Sequence, residues 1–175
     1  MSFYSLVLFL HITGAVGIFI GIGLEWFIVN NFKRVVTTEQ AQQWTNSFKV
    51  LPPTFGISGV LILIPGIYMS AEVWGMNAWV ISGFVLYIFL AVFGSVVIAK
   101  NVGAIRDALK SEGESLSEAI RAKIKAPIIT DSLKIRSMLA LSIIFIMTIK
   151  PDWPMTLVSV GVAVVIGFSL SRIIR

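Results

Sequence analysis

The only histidine of the chain, His11, lies inside the first apolar segment, where an ionisable side chain is costly and therefore suggests a function. A neutral imidazole can ligate haem iron or copper through one ring nitrogen. The alternative is a neutral histidine that is hydrogen-bonded to a backbone carbonyl or a hydroxyl group. The sequence leaves both interpretations open. The chain has no cysteine, which excludes disulfides, thiolate metal sites and cysteine nucleophiles.

Glycines follow His11 along one face of the first segment, within about 120° of it on a helical projection. The second apolar segment carries a similar stripe. Small residues let the backbones of neighbouring membrane helices approach closely. We therefore predict tight packing of the first two spans through Gly14, Gly17 and Gly21 on one side and Gly56, Gly59 and Gly66 on the other.

Charged residues at the ends of the apolar segments suggest two ion pairs. Glu25 is expected at the inner end of the first span, where Arg136, Lys134 or Arg172 could pair with it. Glu72 and Lys150 are expected near the outer face, where they could pair with each other. The two glutamates should lie at opposite faces of the bilayer, so they cannot form a two-carboxylate catalytic site. No acidic residue lies at the depth of His11 to complete a Ser-His-Asp arrangement, so we predict no catalytic residues.

The elements that position these residues are five apolar segments. Hydrophobic residues make up 57% of the 175-residue chain and charged residues 13%, which is typical of an integral membrane protein. We predict an all-α, polytopic transmembrane helical bundle that forms a single domain, with a cytoplasmic helical connection at 101–132. The five spanning helices are expected at 5–29, 54–73, 79–99, 133–149 and 155–171.

Basic residues fall on alternate connections. Of the 14 Lys and Arg residues, all except Lys150 lie in the stretches 33–49, 100–136 and 172–175. This asymmetry predicts an N-terminus outside and a C-terminus in the cytoplasm of a multi-pass protein of the cell membrane. The formal net charge of +5 is then explained by contact with anionic lipid. Nucleic-acid binding has little support, because the basic stretch at 100–136 lacks interleaved aromatic residues.

Three short motifs carry a resemblance to known families: Leu8–Gly14 in the first span, the glycine-containing span after Pro52-Pro53, and Ile146–Pro151 at the end of the fourth. They resemble a bacterial family of integral membrane proteins of unassigned function. They are also distantly similar to HemJ-type protoporphyrinogen oxidases and to copper-resistance D-type membrane proteins. The resemblance to the HemJ type implies haem binding at His11 and a role in the site for Lys150. The chain differs from that type at 136–142 and adds a fifth span.

Three functions follow as hypotheses. The first is a non-enzymatic bundle that handles a small solute or serves as a membrane partner subunit. The second is a haem-associated membrane redox protein with His11 as axial ligand. The third is a structural assembly subunit that docks a partner through the cytoplasmic helix at 115–125. The expected partners are the lipid bilayer and either a second copy of the chain or another membrane protein.

Overall fold

The computed structural model describes residues 2–173 and is helical over 89% of the chain, with no strand among the described residues. The helices are α1 (Phe3–Phe32), α2 (Thr38–Ser47), α3 (Leu51–Met69), α4 (Ala78–Ala108), α5 (Glu118–Lys125), α6 (Pro127–Ile149) and α7 (Trp153–Ile173). The predicted all-α fold class is therefore confirmed.

Five helices in the described part of the chain, α1, α3, α4, α6 and α7, are long and apolar enough to cross a membrane, as predicted. Because consecutive spans are antiparallel, the connections 33–50 and 109–126 lie at one end of the bundle, together with the end of α7. We call this the basic end, and the opposite end, with the turns at 75–77 and 150–152, the short-loop end. The assignment of the basic end to the cytoplasm stays a prediction.

Capping and turn residues set where the helices begin and end. Thr37 and Gln40 form a capping box at the start of α2. Gly75 and Lys150 adopt positive φ values of 70° and 55°; Gly75 ends the π-helical turn that follows α3, and Lys150 ends α6, both at the short-loop end. Helix α6 begins at Pro127, six residues before the expected start of the span, because proline fits the first helical turn. Its first turns thus belong to the stretch expected as a connection.

The packing divides the spans into two groups. Helix α1 packs mainly against α3, whereas α6 packs against α4 and α7. At the basic end the two groups share a hydrophobic core that includes Phe32, Ile105 and Leu133. Helix α5 adds Ile120 and Ile124 to this core. Its apolar face is therefore buried within the chain, and a docking partner would meet only its polar face.

Candidate functional site

A cavity of about 480 Å³ lies between α1, α3, α4 and α6 toward the short-loop end. This volume is within the range of small-molecule sites, roughly 300–1,000 Å³. Its walls are mostly aliphatic and aromatic, and they include His11, Trp74, Trp79 and Tyr87. The described residues thus place the sole histidine at the edge of a ligand-sized cavity.

The His11 ring is held in a defined orientation. Its Nδ1 lies 2.9 Å from the backbone carbonyl oxygen of Ile62, which can only accept a hydrogen bond. A neutral imidazole therefore donates from Nδ1 and keeps the Nε2 lone pair available. The ring is half-buried beside Gly66, where an added Cβ would come 3.2 Å from His11 Cε1. Gly66 thus provides the space that the imidazole occupies.

Two tryptophans close the short-loop end of the cavity. A π-helical turn at Ser70–Trp74 ends α3, and such turns recur at functional sites. The Trp74 ring meets His11 edge-on at 6.4 Å and packs against Trp79 at 5.0 Å between ring centroids. The Lys150 ammonium lies 5.4 Å from the Trp74 centroid and 5.2 Å from that of Trp79, which is cation–π geometry.

Few polar groups face this cavity with bonding capacity left. Ser70 and Thr148 both line it, but their hydroxyls donate to the backbone carbonyls of Gly66 and Ile144 of their own helices. Tyr87 extends toward α3, where its hydroxyl lies against Gly59. Apart from Ser70 and Thr148, the lining residues that carry a polar nitrogen or oxygen are therefore His11, Tyr87 and the two tryptophans.

The cavity is partly open, and some of its wall is exposed at the surface of the bundle. Three of its lining residues, Ile12, Val16 and Ile144, are 52%, 55% and 44% exposed in the isolated chain. These side chains belong to α1 and α6, two of the spanning helices, so their exposed surfaces face acyl chains in a bilayer. Part of the cavity wall is therefore formed by side chains that contact acyl chains when the five helices span a bilayer.

The predicted glycine stripes have a different geometry on the two helices. An added Cβ at Gly14 would lie 2.8 Å from the backbone of α3 at Ser58 and Ile62. Gly17 and Gly21 meet the side chains of Ser58 and Phe55 of the same helix. The stripe of α1 therefore contacts α3, but it meets residues other than the glycines of α3.

On α3, the glycines do not face those of α1. Gly59 admits Tyr87 of α4, and Gly66 admits His11. An added Cβ at Gly56 would meet nothing within 4 Å, so this glycine is not part of the contact. The reason is helical phase: Gly56 is two residues, or about 200°, from Ser58, which faces α1.

A second polar feature lies deeper toward the basic end. Glu25 of α1 accepts two hydrogen bonds from the Arg136 guanidinium of α6, one of them 2.9 Å long from Nη1 to Oε2. Arg136 Nε also donates to Ser132 Oγ at 3.3 Å. Gly94 of α4 leaves room for the guanidinium, because an added Cβ would come within 2.8 Å of Nη1. Both charges are almost fully buried, so neither relies on water.

The expected pair of Glu72 with Lys150 is absent from the ion pairs of the described residues. Glu72 is exposed on the π-helical turn, whereas Lys150 is directed onto the two tryptophans by its left-handed backbone conformation. The described residues also contain no group of three or more His, Asp or Glu side chains arranged to share a metal ion.

Sequence reasoning missed the aromatic part of the site. Trp74 and Trp79 lie near the ends of two apolar segments, where tryptophan is common at membrane surfaces, so their positions in the sequence did not indicate a site. Tyr87 lies in the middle of an apolar helix and gave no signal of its own. The one available signal was the position of Trp74 just before Gly75, because a glycine with positive φ ends a helix abruptly.

Comparison with protein-family models, with curated proteins and with solved structures found no match to this chain.

Proposed function

We propose that this protein is a non-enzymatic, multi-pass membrane protein that binds a small, mostly apolar ligand in the cavity beside His11. The observation that carries the proposal is the coincidence of a cavity of about 480 Å³ with the sole histidine, whose Nδ1 is already bonded. Ligand sites are typically apolar cavities with a few convergent polar groups. Here His11 Nε2 offers an acceptor and the Tyr87 hydroxyl a donor.

The chemistry of the walls defines the class of ligand. Aliphatic and aromatic side chains favour a hydrophobic body, and two polar atoms suffice to orient one carbonyl or hydroxyl group. The Lys150 ammonium over Trp74 and Trp79 places positive charge next to the short-loop end of the cavity. A ligand with one weakly acidic or polar tip therefore suits the site better than a cation.

Binding of the apolar fluorophore phenylnaphthylamine tests this proposal. In detergent-purified protein we expect a saturable component of energy transfer from the tryptophans to the dye, above the linear signal from micelles. Ala15 lines the cavity, and Ala15→Phe should fill part of it and weaken saturable binding by about tenfold, equivalent to about 1.4 kcal/mol.

The matched control is Ala91→Phe, since Ala91 is exposed on α4 and does not line the cavity. This variant should bind the dye as the original chain does. Equal binding by both variants, or a signal that never saturates, would contradict a ligand site in this cavity.

The second hypothesis, haem ligation by His11, also has a specific observation in its favour. Metal-ligating histidines generally donate their other ring N–H to a carbonyl or carboxylate, which is the arrangement of His11 and Ile62. The apolar walls of the cavity would suit a bound haem, and His11 is the residue that would hold it. Bound haem would supply one-electron redox chemistry, with His11 holding the iron and Lys150 placed near the short-loop end for a carboxylate.

Titration with haemin distinguishes the two functions. If the haem hypothesis holds, the protein develops a saturable Soret band that is lost in His11→Ala and retained in the cavity-remote control Ala91→Phe. If the Soret band is absent, or is unchanged in His11→Ala, the haem hypothesis is wrong. The apolar-ligand proposal is tested separately by the dye.

A further inference from the structure

A second cavity, of about 460 Å³, lies between α1, α6 and α7 at the basic end. His11 lies toward the other end of the bundle. The second cavity begins near Lys33 at the end of α1 and extends about two helical turns into the span, to Trp26, or roughly 10 Å. None of its lining residues belongs to the cavity beside His11. It is therefore a separate feature of the molecule.

Two lysines line this cavity. Lys33 is partly exposed and forms no ion pair among the described residues. Lys134 is buried, donates to the Leu170 carbonyl at 3.2 Å and lies 3.7 Å from the Asp131 carboxylate. Asp131 pairs with Lys134, so Lys33 supplies a positive charge at the mouth of the cavity that no carboxylate of the described residues pairs.

Hydrogen-bonding groups surround that charge. Asn30 and Thr130 both line the cavity, and the buried Thr130 hydroxyl has no hydrogen-bond partner among the described residues. A buried hydroxyl without a partner is costly, so an acceptor or donor bound here would remove that cost. Burial lowers the pKa of Lys33, and the neighbouring Lys134 lowers it further while Asp131 raises it, so a bound anion would also stabilise the charged form.

The inner part of the cavity is apolar. Trp26, Met138 and Leu170 line it between the spanning helices. The Trp26 indole N–H donates to Ser137 Oγ at 3.1 Å, so the polar groups of these two lining residues are hydrogen-bonded to each other. The cavity therefore combines a cationic, hydrogen-bonding mouth with an apolar interior between the spanning helices.

We infer that this cavity is a binding site for an anionic glycerophospholipid with a singly charged phosphodiester headgroup and free hydroxyls, of the phosphatidylglycerol class. The phosphodiester charge matches the single positive charge, the glycerol hydroxyls match Asn30 and Thr130, and the acyl chains follow Met138 and Leu170. Basic pockets between spans on the cytoplasmic side are known to hold anionic headgroups. Free inorganic phosphate shares the charge but would leave the apolar interior unfilled.

Native mass spectrometry of delipidated protein with defined lipids tests the site. We expect one phosphatidylglycerol to bind in preference to phosphatidylcholine, and Lys33→Gln to reduce this preference by about fivefold, the effect of one interfacial cation. Lys33→Arg keeps the charge and should retain the preference. Lys100→Gln is the matched control, because Lys100 is an exposed lysine of α4 that does not line the cavity.

Three results would overturn the inference. The first is an equal loss in Lys33→Gln and Lys100→Gln, which would indicate general attraction between the basic end and anionic lipid. The second is no preference for phosphatidylglycerol in the original chain. The third is Lys33-dependent binding of inorganic phosphate in phosphatidylcholine nanodiscs with an affinity equal to that of the lipid, which would identify a free anion as the ligand. Thermal unfolding of each variant verifies that it is folded.

Discussion

Glu25 of α1 and Arg136 of α6 form a bidentate ion pair that is buried inside the bundle and joins the α1–α3 group to the α4–α6–α7 group. A charge in the interior of a membrane protein is stable only with a partner, and each of these residues is the partner of the other.

Removing one member of this pair should be worse than removing both. Glu25→Ala leaves the Arg136 guanidinium buried without its anion, which typically costs about 3–5 kcal/mol. The double variant Glu25→Leu with Arg136→Met replaces the pair by apolar groups and should be clearly more stable than the single variant. Unfolding by a denaturing detergent, followed by circular dichroism, measures both. A double variant as unstable as Glu25→Ala would show that the pair contributes through more than mutual neutralisation.

Gly14 should tolerate no side chain, whereas Gly56 should tolerate one. An added methyl at Gly14 meets the backbone of α3, so Gly14→Ala forces the helices apart and should cost about 1–3 kcal/mol. Gly56→Ala meets open space and should be neutral or stabilising by up to about 1 kcal/mol through helix propensity. Thermal unfolding in one detergent compares the two, and similar midpoints would contradict the close α1–α3 contact.

At position 150, glycine should give a more stable protein than alanine. Lys150→Gly and Lys150→Ala both delete the cation over Trp74 and Trp79, but only alanine retains the cost of the left-handed conformation. We expect Lys150→Gly to be the more stable by about 1 kcal/mol, or roughly 2–4 °C in the unfolding midpoint. The opposite order would mean that this turn is not left-handed in the membrane.

The titration of Lys33 should respond to both charged neighbours in opposite directions. Burial holds the pKa of Lys33 below its usual value, Asp131 raises it and Lys134 lowers it. Asp131→Asn should therefore lower the pKa of Lys33 further, and Lys134→Met should raise it. Nuclear magnetic resonance of isotopically methylated lysines, assigned with Lys33→Arg, measures both shifts. An unchanged pKa of Lys33 in both variants, or shifts in the same direction, would contradict the predicted electrostatic effects of Asp131 and Lys134.

Most of the fold follows from hydropathy, and much of the site does not. Five runs of apolar residues define five helices, because only a helix satisfies the backbone hydrogen bonds of a spanning segment. The expected start of α6 was late because Asp131 and Lys134 interrupt the apolar run, although Pro127 had already begun the helix. Hydropathy identifies the residues of a helix that lie in the bilayer. It does not identify the polar turns by which the same helix extends beyond the bilayer.

Side-chain partners were harder to foresee. Glu25 could be matched to a basic residue at the same end of the spans, but depth alone left Arg136, Lys134 and Arg172 as candidates, and the structure selects Arg136. The partners of Lys150 depend on a π-helical turn and a left-handed residue, and neither has a signal in the spacing of residues. The partners of the glycines depend on how α1 and α3 are rotated about their own axes. The rotation of α3 places Ser58 against α1 and turns Gly56 away from it, and residue spacing does not reveal that rotation.

Ile12, Val16 and Ile144 line the His11 cavity and are exposed on spanning helices, so in a bilayer the ligand concentration beside the cavity is the concentration among the acyl chains. For a compound that reaches the cavity through the acyl chains, the relevant concentration is its concentration in water multiplied by its water–membrane partition coefficient. Occupancy of the cavity therefore depends on lipophilicity as much as on intrinsic affinity. Two ligands of equal contact energy would then differ in apparent potency whenever they dissolve differently in the bilayer.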